Sequence, residues 1–125
     1  MGKQPEGKKS LAIIQAWKKM GAWAYKVHGN EFQPSGIPDI CGVFMGHSVW
    51  CETKQPGNKP SMIQWKQIRD LRRRDALVIV SYTVADAVQM LEHIRTGEHA
   101  REQNGCLYQA PIDLAEKLRT GDYRD

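Results

Sequence analysis

Two carboxylates and a lysine stand at a spacing that could build a metal site for cleaving phosphodiester bonds. Asp39 lies near the start of one short apolar run, and Glu52 and Lys54 lie at the end of the next. Side chains alternate along a strand, so Glu52 and Lys54 would share one face, about 6 to 7 Å apart. An antiparallel hairpin with its turn near Gly46 would bring Asp39 beside them. The spacing therefore predicts paired acids with an adjacent cation.

The predicted site offers the ligands that a hard divalent cation prefers. Mg²⁺ in phosphate chemistry takes one or two carboxylates together with water and phosphate oxygens, so Asp39 and Glu52 would suit Mg²⁺ or Mn²⁺. The backbone carbonyl of Thr53 is a further candidate ligand. Glu6 falls on the inward stripe of the predicted first helix and could reach the metal directly or through water. Lys54 would orient the attacking water or help to deprotonate it, and would offset charge developing on phosphorus.

Hydrophobic periodicity predicts an α/β domain with the element order α-β-β-β-α-β-α. The first helix is expected to stop at Gly21 and to keep Lys9, Lys18 and Lys19 away from its buried stripe. A turn over residues 45–47 is expected to join the second and third strands. The predicted helices cover residues 6–20, 61–74 and 84–95, and the predicted strands cover residues 22–27, 37–44, 48–54 and 76–81.

Composition favours one domain with an anionic partner. The chain has 125 residues and is 41% hydrophobic, which is enough for one core and too little for two domains. Its net charge of +4 suits a phosphate backbone, although so small an excess is common in proteins that bind no nucleic acid. The three cysteines form no C-x-x-C pair, and no segment has the pattern of a signal peptide or membrane span. We expect a soluble, cytoplasmic protein with no membrane partner.

Several motifs, in order, resemble the VRR-NUC branch of the PD-(D/E)XK nuclease superfamily. They are Ser35-Gly36-Ile37-Pro38-Asp39-Ile40, the run Trp50 to Gly57 (WCETKQPG), Pro60 to Gln64 (PSMIQ), and the run Trp23 to Gly29 (WAYKVHG). The similarity extends from Glu6 to Ile94. It implies a restriction-endonuclease-like α-β-β-β-α-β core with a mixed central sheet flanked by helices, which agrees with the order predicted from periodicity.

The resemblance also implies roles for individual residues. By this similarity Asp39 and Glu52 are metal ligands, Lys54 is the catalytic lysine, Gln64 is an active-site glutamine and Glu6 is the acidic residue of the first helix. Stand-alone members are similar to phage-borne structure-specific nucleases, including homodimers that resolve four-way junctions. The implied function is a Mg²⁺-dependent endonuclease acting on branched DNA as a homodimer, in the bacterial host cytoplasm if phage-encoded.

Other interpretations stay open at this point. Asp39 could only stabilise a turn, and Glu52 with Lys54 could form a solvated surface ion pair. Gln64 could bond back to the Ser61 amide in a capping box. The alternative functions are a flap or single-strand-end nuclease of the same fold and a non-catalytic nucleic-acid-binding module.

Candidate DNA contacts lie outside the metal site. His28 borders a polar loop, Lys59 follows the catalytic strand through a Pro-Gly loop, and the second helix ends in a basic cluster with Arg69, Arg72 and Arg73. Such cations can bind phosphates, although arginines at a helix end also complement its dipole.

The last part of the chain lies beyond the resemblance. Residues 1–95 are predicted to form the nuclease domain. Residues 96–125 are predicted to form a C-terminal extension with a short helix over residues 111–118, packed on the domain or on a dimer partner.

Overall fold

The computed structural model describes residues 6–29 and 31–96, and its elements follow the predicted order. Thr96 closes the last helix, while the rest of the predicted extension, with its helix over residues 111–118, lies outside the described residues. The helices are α1 (Glu6–Lys19), α2 (Met62–Arg72) and α3 (Val84–Thr96), and the strands are β1 (Trp23–Lys26), β2 (Ile40–Phe44), β3 (His47–Thr53) and β4 (Leu77–Ser81).

The four strands form one sheet in the order β1-β2-β3-β4. The β1/β2 and β2/β3 pairs are antiparallel, whereas β3 and β4 are parallel. Helices flank this mixed sheet, so the predicted restriction-endonuclease-like α/β core is confirmed. No helix in the two described stretches has both the length and the apolar character needed to cross a bilayer.

The β2-β3 turn sets the register that brings the acidic residues together. Phe44 pairs with His47, so the turn contains only Met45 and Gly46, and the prediction of a three-residue turn was wrong by one residue. Both turn residues have positive φ, 49° and 82°, as the tight hairpins favoured by right-handed strand twist require. Further along the ladder Ile40 pairs with Cys51, and continuing this register places Asp39 level with Glu52.

The helices divide between the two faces of the sheet. On one face α1 packs beside α3, where Trp17 Nε1 donates a hydrogen bond to Ala87 O at 3.0 Å. On the other face α2 packs against β4 and buries Trp65 and Ile68. Cys51 and Glu52 are neighbours on β3 and point to opposite faces of the sheet, and the helices on those faces bury both of them.

The sequence-based prediction for Lys9 was wrong. Ile13 and Trp17 are fully buried as expected, but Lys9 is also buried, with only 5% of its surface exposed. Residues four apart lie on the same side of a helix, so Lys9 continues the stripe formed by Ile13 and Trp17. Its charge made it look like a surface residue, while its position places it at the buried end of α1.

Gly42 marks the place where β1 approaches β2 most tightly, and replacing it should destabilise the sheet. A Cβ added there would lie 2.1 Å from Trp23 O and 3.0 Å from Ala24 Cα, both backbone atoms that cannot rotate away. We expect Gly42→Ala to lower the free energy of unfolding by about 1 to 3 kcal/mol, measured by urea denaturation.

Gly7→Ala is the matched control, because a Cβ at Gly7 would meet no atom within 4 Å. Alanine favours a helix over glycine, so this variant should be unchanged or more stable by up to about 1 kcal/mol. Equal stability of the two variants would contradict the close approach at Gly42.

Candidate active site

The end of β3 holds the first carboxylate in place. Asp39 Oδ2 accepts hydrogen bonds from Thr53 N at 2.9 Å and from Thr53 Oγ1 at 2.6 Å. On the other side of β3, Lys54 N donates to Ser81 O at 2.9 Å. Backbone groups of successive strand residues point to opposite sides, so the carbonyl of Thr53 points to the same side as its N–H, toward Asp39. One carboxylate and one carbonyl oxygen therefore share the same edge of β3.

Glu52 supplies the second carboxylate and lies on the face covered by α2. It is only 2% exposed. Gln64 Nε2 donates to Glu52 Oε2 at 3.0 Å, and Lys54 Nζ lies 3.7 Å from the same oxygen. Because a buried carboxylate is costly unless it is paired and hydrogen-bonded, these two contacts offset the cost of enclosing Glu52 inside the fold.

Gln64 combines the two roles that the sequence left open. The side-chain Oε1 of Gln64 accepts a hydrogen bond from Ser61 N at 2.8 Å, and the backbone N–H of Gln64 donates to Ser61 Oγ at 3.3 Å. Together these bonds form a capping box at the start of α2. The other end of the same amide reaches Glu52. The cap fixes the side chain in the orientation that lets Nε2 meet the carboxylate.

α1 contributes two residues that sequence reasoning missed at the site. Lys9 Nζ donates to Lys54 O and to Tyr82 O, each at 3.0 Å. Ser10 Oγ lies 3.5 Å from Thr53 Oγ1. The available signal was the four-residue spacing from Lys9 to Ile13, which places Lys9 on the buried side. Glu6 begins α1, but its side chain lies outside what the structure describes, so its metal role stays a prediction.

Comparison with known proteins decides the fold. No family model and no curated protein matches the chain. Among solved structures, a VRR_NUC domain superposes with a TM-score of 0.61 at 24% sequence identity, covering 70% of this chain and 95% of that chain. The chain has the fold of a VRR_NUC domain. The resemblance carried by the sequence motifs is thus confirmed at the level of the fold.

The donor set of this VRR_NUC fold suits a hard cation. Within residues 6–29 and 31–96, no three His, Cys, Asp or Glu side chains cluster as a metal site. The oxygens at the site are instead two carboxylates, from Asp39 and Glu52, and the Thr53 carbonyl. This set fits Mg²⁺, which commonly binds through one or two carboxylates and keeps several waters, better than it fits a cation that needs an all-protein cage.

Cys51 lies in β3 next to Glu52, and the pKa of its thiol depends on the charges of the candidate site. Burial raises the pKa of its thiol well above the usual range, and the negative charges of Asp39 and Glu52 raise it further. A hydrogen bond with Ser81 acts in the opposite direction but does not outweigh these causes. Cys51 is therefore a neutral thiol in the field of both carboxylates.

The structure separates the predicted DNA contacts into surface and buried residues. His28, Lys59 and Arg73 are exposed, and Arg69 is half-buried. Arg72 is buried, and its Nη1 donates to Val78 O at 3.3 Å. The last turn of α2 therefore directs Arg72 toward β4 instead of solvent, and its predicted contact with DNA stays a prediction.

Replacing Gln64 or Ser61 separates the two roles of the glutamine. Ser61→Ala removes the Oγ that accepts from the Gln64 backbone N–H, one half of the capping box, and should lower the free energy of unfolding by about 1 kcal/mol. Gln64→Ala removes the other half, the acceptor of Ser61 N–H, together with the hydrogen bond to the buried Glu52 carboxylate, so we expect a further loss of about 1 to 3 kcal/mol. Urea denaturation of both variants measures the difference, and equal losses would show that the bond to Glu52 contributes nothing.

Proposed function

We propose that this protein is a metal-dependent DNA endonuclease that hydrolyses phosphodiester bonds. The observation that carries the proposal is the position of Asp39, Glu52 and Lys54 at the end of β3, where Asp39 is bonded to Thr53, the residue between the other two. The sheet register places the two acids level with each other, and Lys54 Nζ lies 3.7 Å from Glu52 Oε2. The similarity of the fold to a VRR_NUC domain supports the same function.

Asp39, Glu52 and the Thr53 carbonyl would hold Mg²⁺ or Mn²⁺, with Glu6 as the remaining candidate ligand, directly or through water. Such an ion, when bound, polarises phosphate oxygens and lowers the pKa of water. The Thr53 amide and hydroxyl orient the Asp39 carboxylate, and Gln64 orients that of Glu52. Partners of this kind fix the direction in which a ligand presents its lone pairs.

Lys54 provides the cation for the chemical step. Its side chain is 17% exposed and lies beside Glu52, so Nζ can be reached from solvent while it remains held by a carboxylate. In that position the ammonium group would orient the attacking water and offset the negative charge that develops on the phosphoryl oxygens, whereas a neutral amine at the same place would instead accept the proton of that water.

DNA would be held by surface cations, of which Lys59 and Arg73 are exposed and Arg69 is half-buried. Lys59, Arg69 and Arg73 are suited to phosphate contacts, and His28 borders the loop that leads to Asp39. The net charge of +4 favours such a partner. We propose branched DNA, such as four-way junctions, as the substrate and a homodimer as the active form, because a symmetric junction requires two matched cuts. The protein would act in the cytoplasm, that of a bacterial host if it is phage-encoded.

Cleavage assays test this proposal. Labelled four-way junctions, flaps, single strands and plain duplex are incubated with the protein, with and without Mg²⁺ or Mn²⁺. We expect metal-dependent cutting of junctions, and a loss of about 10²- to 10³-fold in rate for Lys54→Ala and Asp39→Asn. Lys18→Ala, an exposed lysine in the last turn of α1, should keep the original rate.

Each alternative outcome has a distinct meaning. Cutting of flaps or free ends alone would overturn junction resolution while leaving the metal site intact as a proposal. Binding without cleavage would favour a non-catalytic module. Cleavage that persists in Lys54→Ala and Asp39→Asn would overturn the assignment of the site.

Exposed and buried basic residues should affect the salt dependence of junction binding differently. Without divalent metal, Arg73→Ala and Lys59→Ala should each lower the slope of log affinity against log salt by about 1, because each removes one phosphate contact. Arg72→Ala should leave the slope unchanged and instead lower the free energy of unfolding by about 1 to 3 kcal/mol. A salt-slope change in Arg72→Ala would mean that Arg72 turns outward to bind DNA.

A further inference from the structure

The pairing of β3 with β4 breaks off at Lys54. Lys54 N donates to Ser81 O, which forms the last rung of the parallel ladder. Continuing the ladder would require Thr83 N to donate to Lys54 O. Thr83 N donates instead to Asp86 Oδ2 at 3.1 Å, and Asp86 N donates back to Thr83 Oγ1 at 3.1 Å, because the chain turns here into α3. The cap of α3 thus takes the donor that the ladder would have used.

Lys9 occupies the position of the missing donor. Its Nζ binds Lys54 O and Tyr82 O, both at 3.0 Å, and so bridges the two chain segments where they separate. The residue is 95% buried on α1. A buried ammonium group is tolerated only when it is well hydrogen-bonded, and two backbone carbonyls meet that need. Lys9 is therefore a structural bridge across the end of the sheet.

This bridge acts directly on the backbone of Lys54. The N–H of Lys54 is held by Ser81 O and its carbonyl by Lys9 Nζ, so the peptide planes on both sides of its Cα are fixed. Fixing both planes fixes the direction of the Cα–Cβ bond. Ser10, the next residue of α1, lies beside Thr53 Oγ1, which donates to Asp39. One turn of α1 thus contacts two neighbouring residues of the site: Lys9 binds the backbone of Lys54, and Ser10 lies beside Thr53, which orients the Asp39 carboxylate.

We propose that Lys9 is a positioning residue of the nuclease site, which acts through the Lys54 backbone to hold Lys54 Nζ beside Glu52. This role rests on the proposed function and extends it to a second lysine. Lys9 keeps its charge buried and directs it at carbonyl oxygens, so its effect on the reaction passes through the geometry of Lys54 and not through contact with DNA.

Amide hydrogen exchange tests the positioning step without requiring nuclease activity. In Lys9→Met the side chain keeps its bulk but loses the ammonium group, so the end of β3 should open more often. We expect the Lys54 amide to exchange at least about tenfold faster. Lys8→Met is the matched control, because Lys8 is the exposed neighbour on the same helix and loses the same charge. Its Lys54 amide should exchange at the original rate.

Kinetics then test whether this geometry matters for cleavage. Under saturating junction DNA, Lys9→Met should lower kcat by about 10- to 100-fold with KM changed by less than about twofold. In a Lys54→Ala background, Lys9→Met should lower kcat by a further factor of less than about two, because the effects of two residues that act as a unit are not additive. Lys9→Gln, which keeps one donor, should fall between the original protein and Lys9→Met, and it replaces Lys9→Met if that variant does not fold.

The outcomes distinguish this role from the proposed function itself. An unchanged Lys54 exchange rate in Lys9→Met, or an equal effect in Lys8→Met, would overturn the positioning role. A full additional loss in the Lys54→Ala background would also overturn it, since Lys9 would then act elsewhere. If the original protein cuts no DNA, the nuclease proposal fails, and the exchange rates alone still decide whether Lys9 holds Lys54.

Discussion

The requirement that buried backbone groups be hydrogen-bonded shapes the whole site. β3 is central in the sheet, but at its end the strands on both sides stop or turn away. On the β2 side, Thr53 N is satisfied by the Asp39 carboxylate. On the β4 side, Lys54 O is satisfied by Lys9. The polar side chains that meet here therefore substitute for strand partners, so the residues of the candidate site are ones that the fold already needs.

Because of the same constraint, oppositely charged side chains lie close together at the end of β3. Glu52 is enclosed under α2 with Lys54 beside it, while Lys9 lies under the other face of the strand end. Removing one member of such a set would leave a buried charge without compensation, which costs more than the pair contributes when intact. Groups that support one another in this way are already held in place before any ligand arrives, which is the preorganisation that electrostatic catalysis would require.

Sequence patterns predicted which residues share the candidate site, because strand alternation and hairpin register are local properties. Glu52 and Lys54 share a face for that reason, and one tight turn places Asp39 level with Glu52. Lys9 and Arg72 were misplaced because charge is ordinarily a reliable sign of exposure. Their burial depends on carbonyl groups that become available only when distant segments pack, Lys54 and Tyr82 for the first and Val78 for the second. A single sequence carries no local signal for such acceptors.

The protonation of the Cys51 thiol bears on which cations the candidate site could bind. Thiolate sulfur is a strong ligand for soft and borderline cations such as Cu⁺ and Zn²⁺, whereas a protonated thiol is not. The carboxylates that would attract a cation also hold the proton on Cys51, and full burial strengthens that effect. In the metal-free protein, burial and the two carboxylates therefore keep Cys51 protonated, and a protonated thiol is a poor ligand for a soft cation.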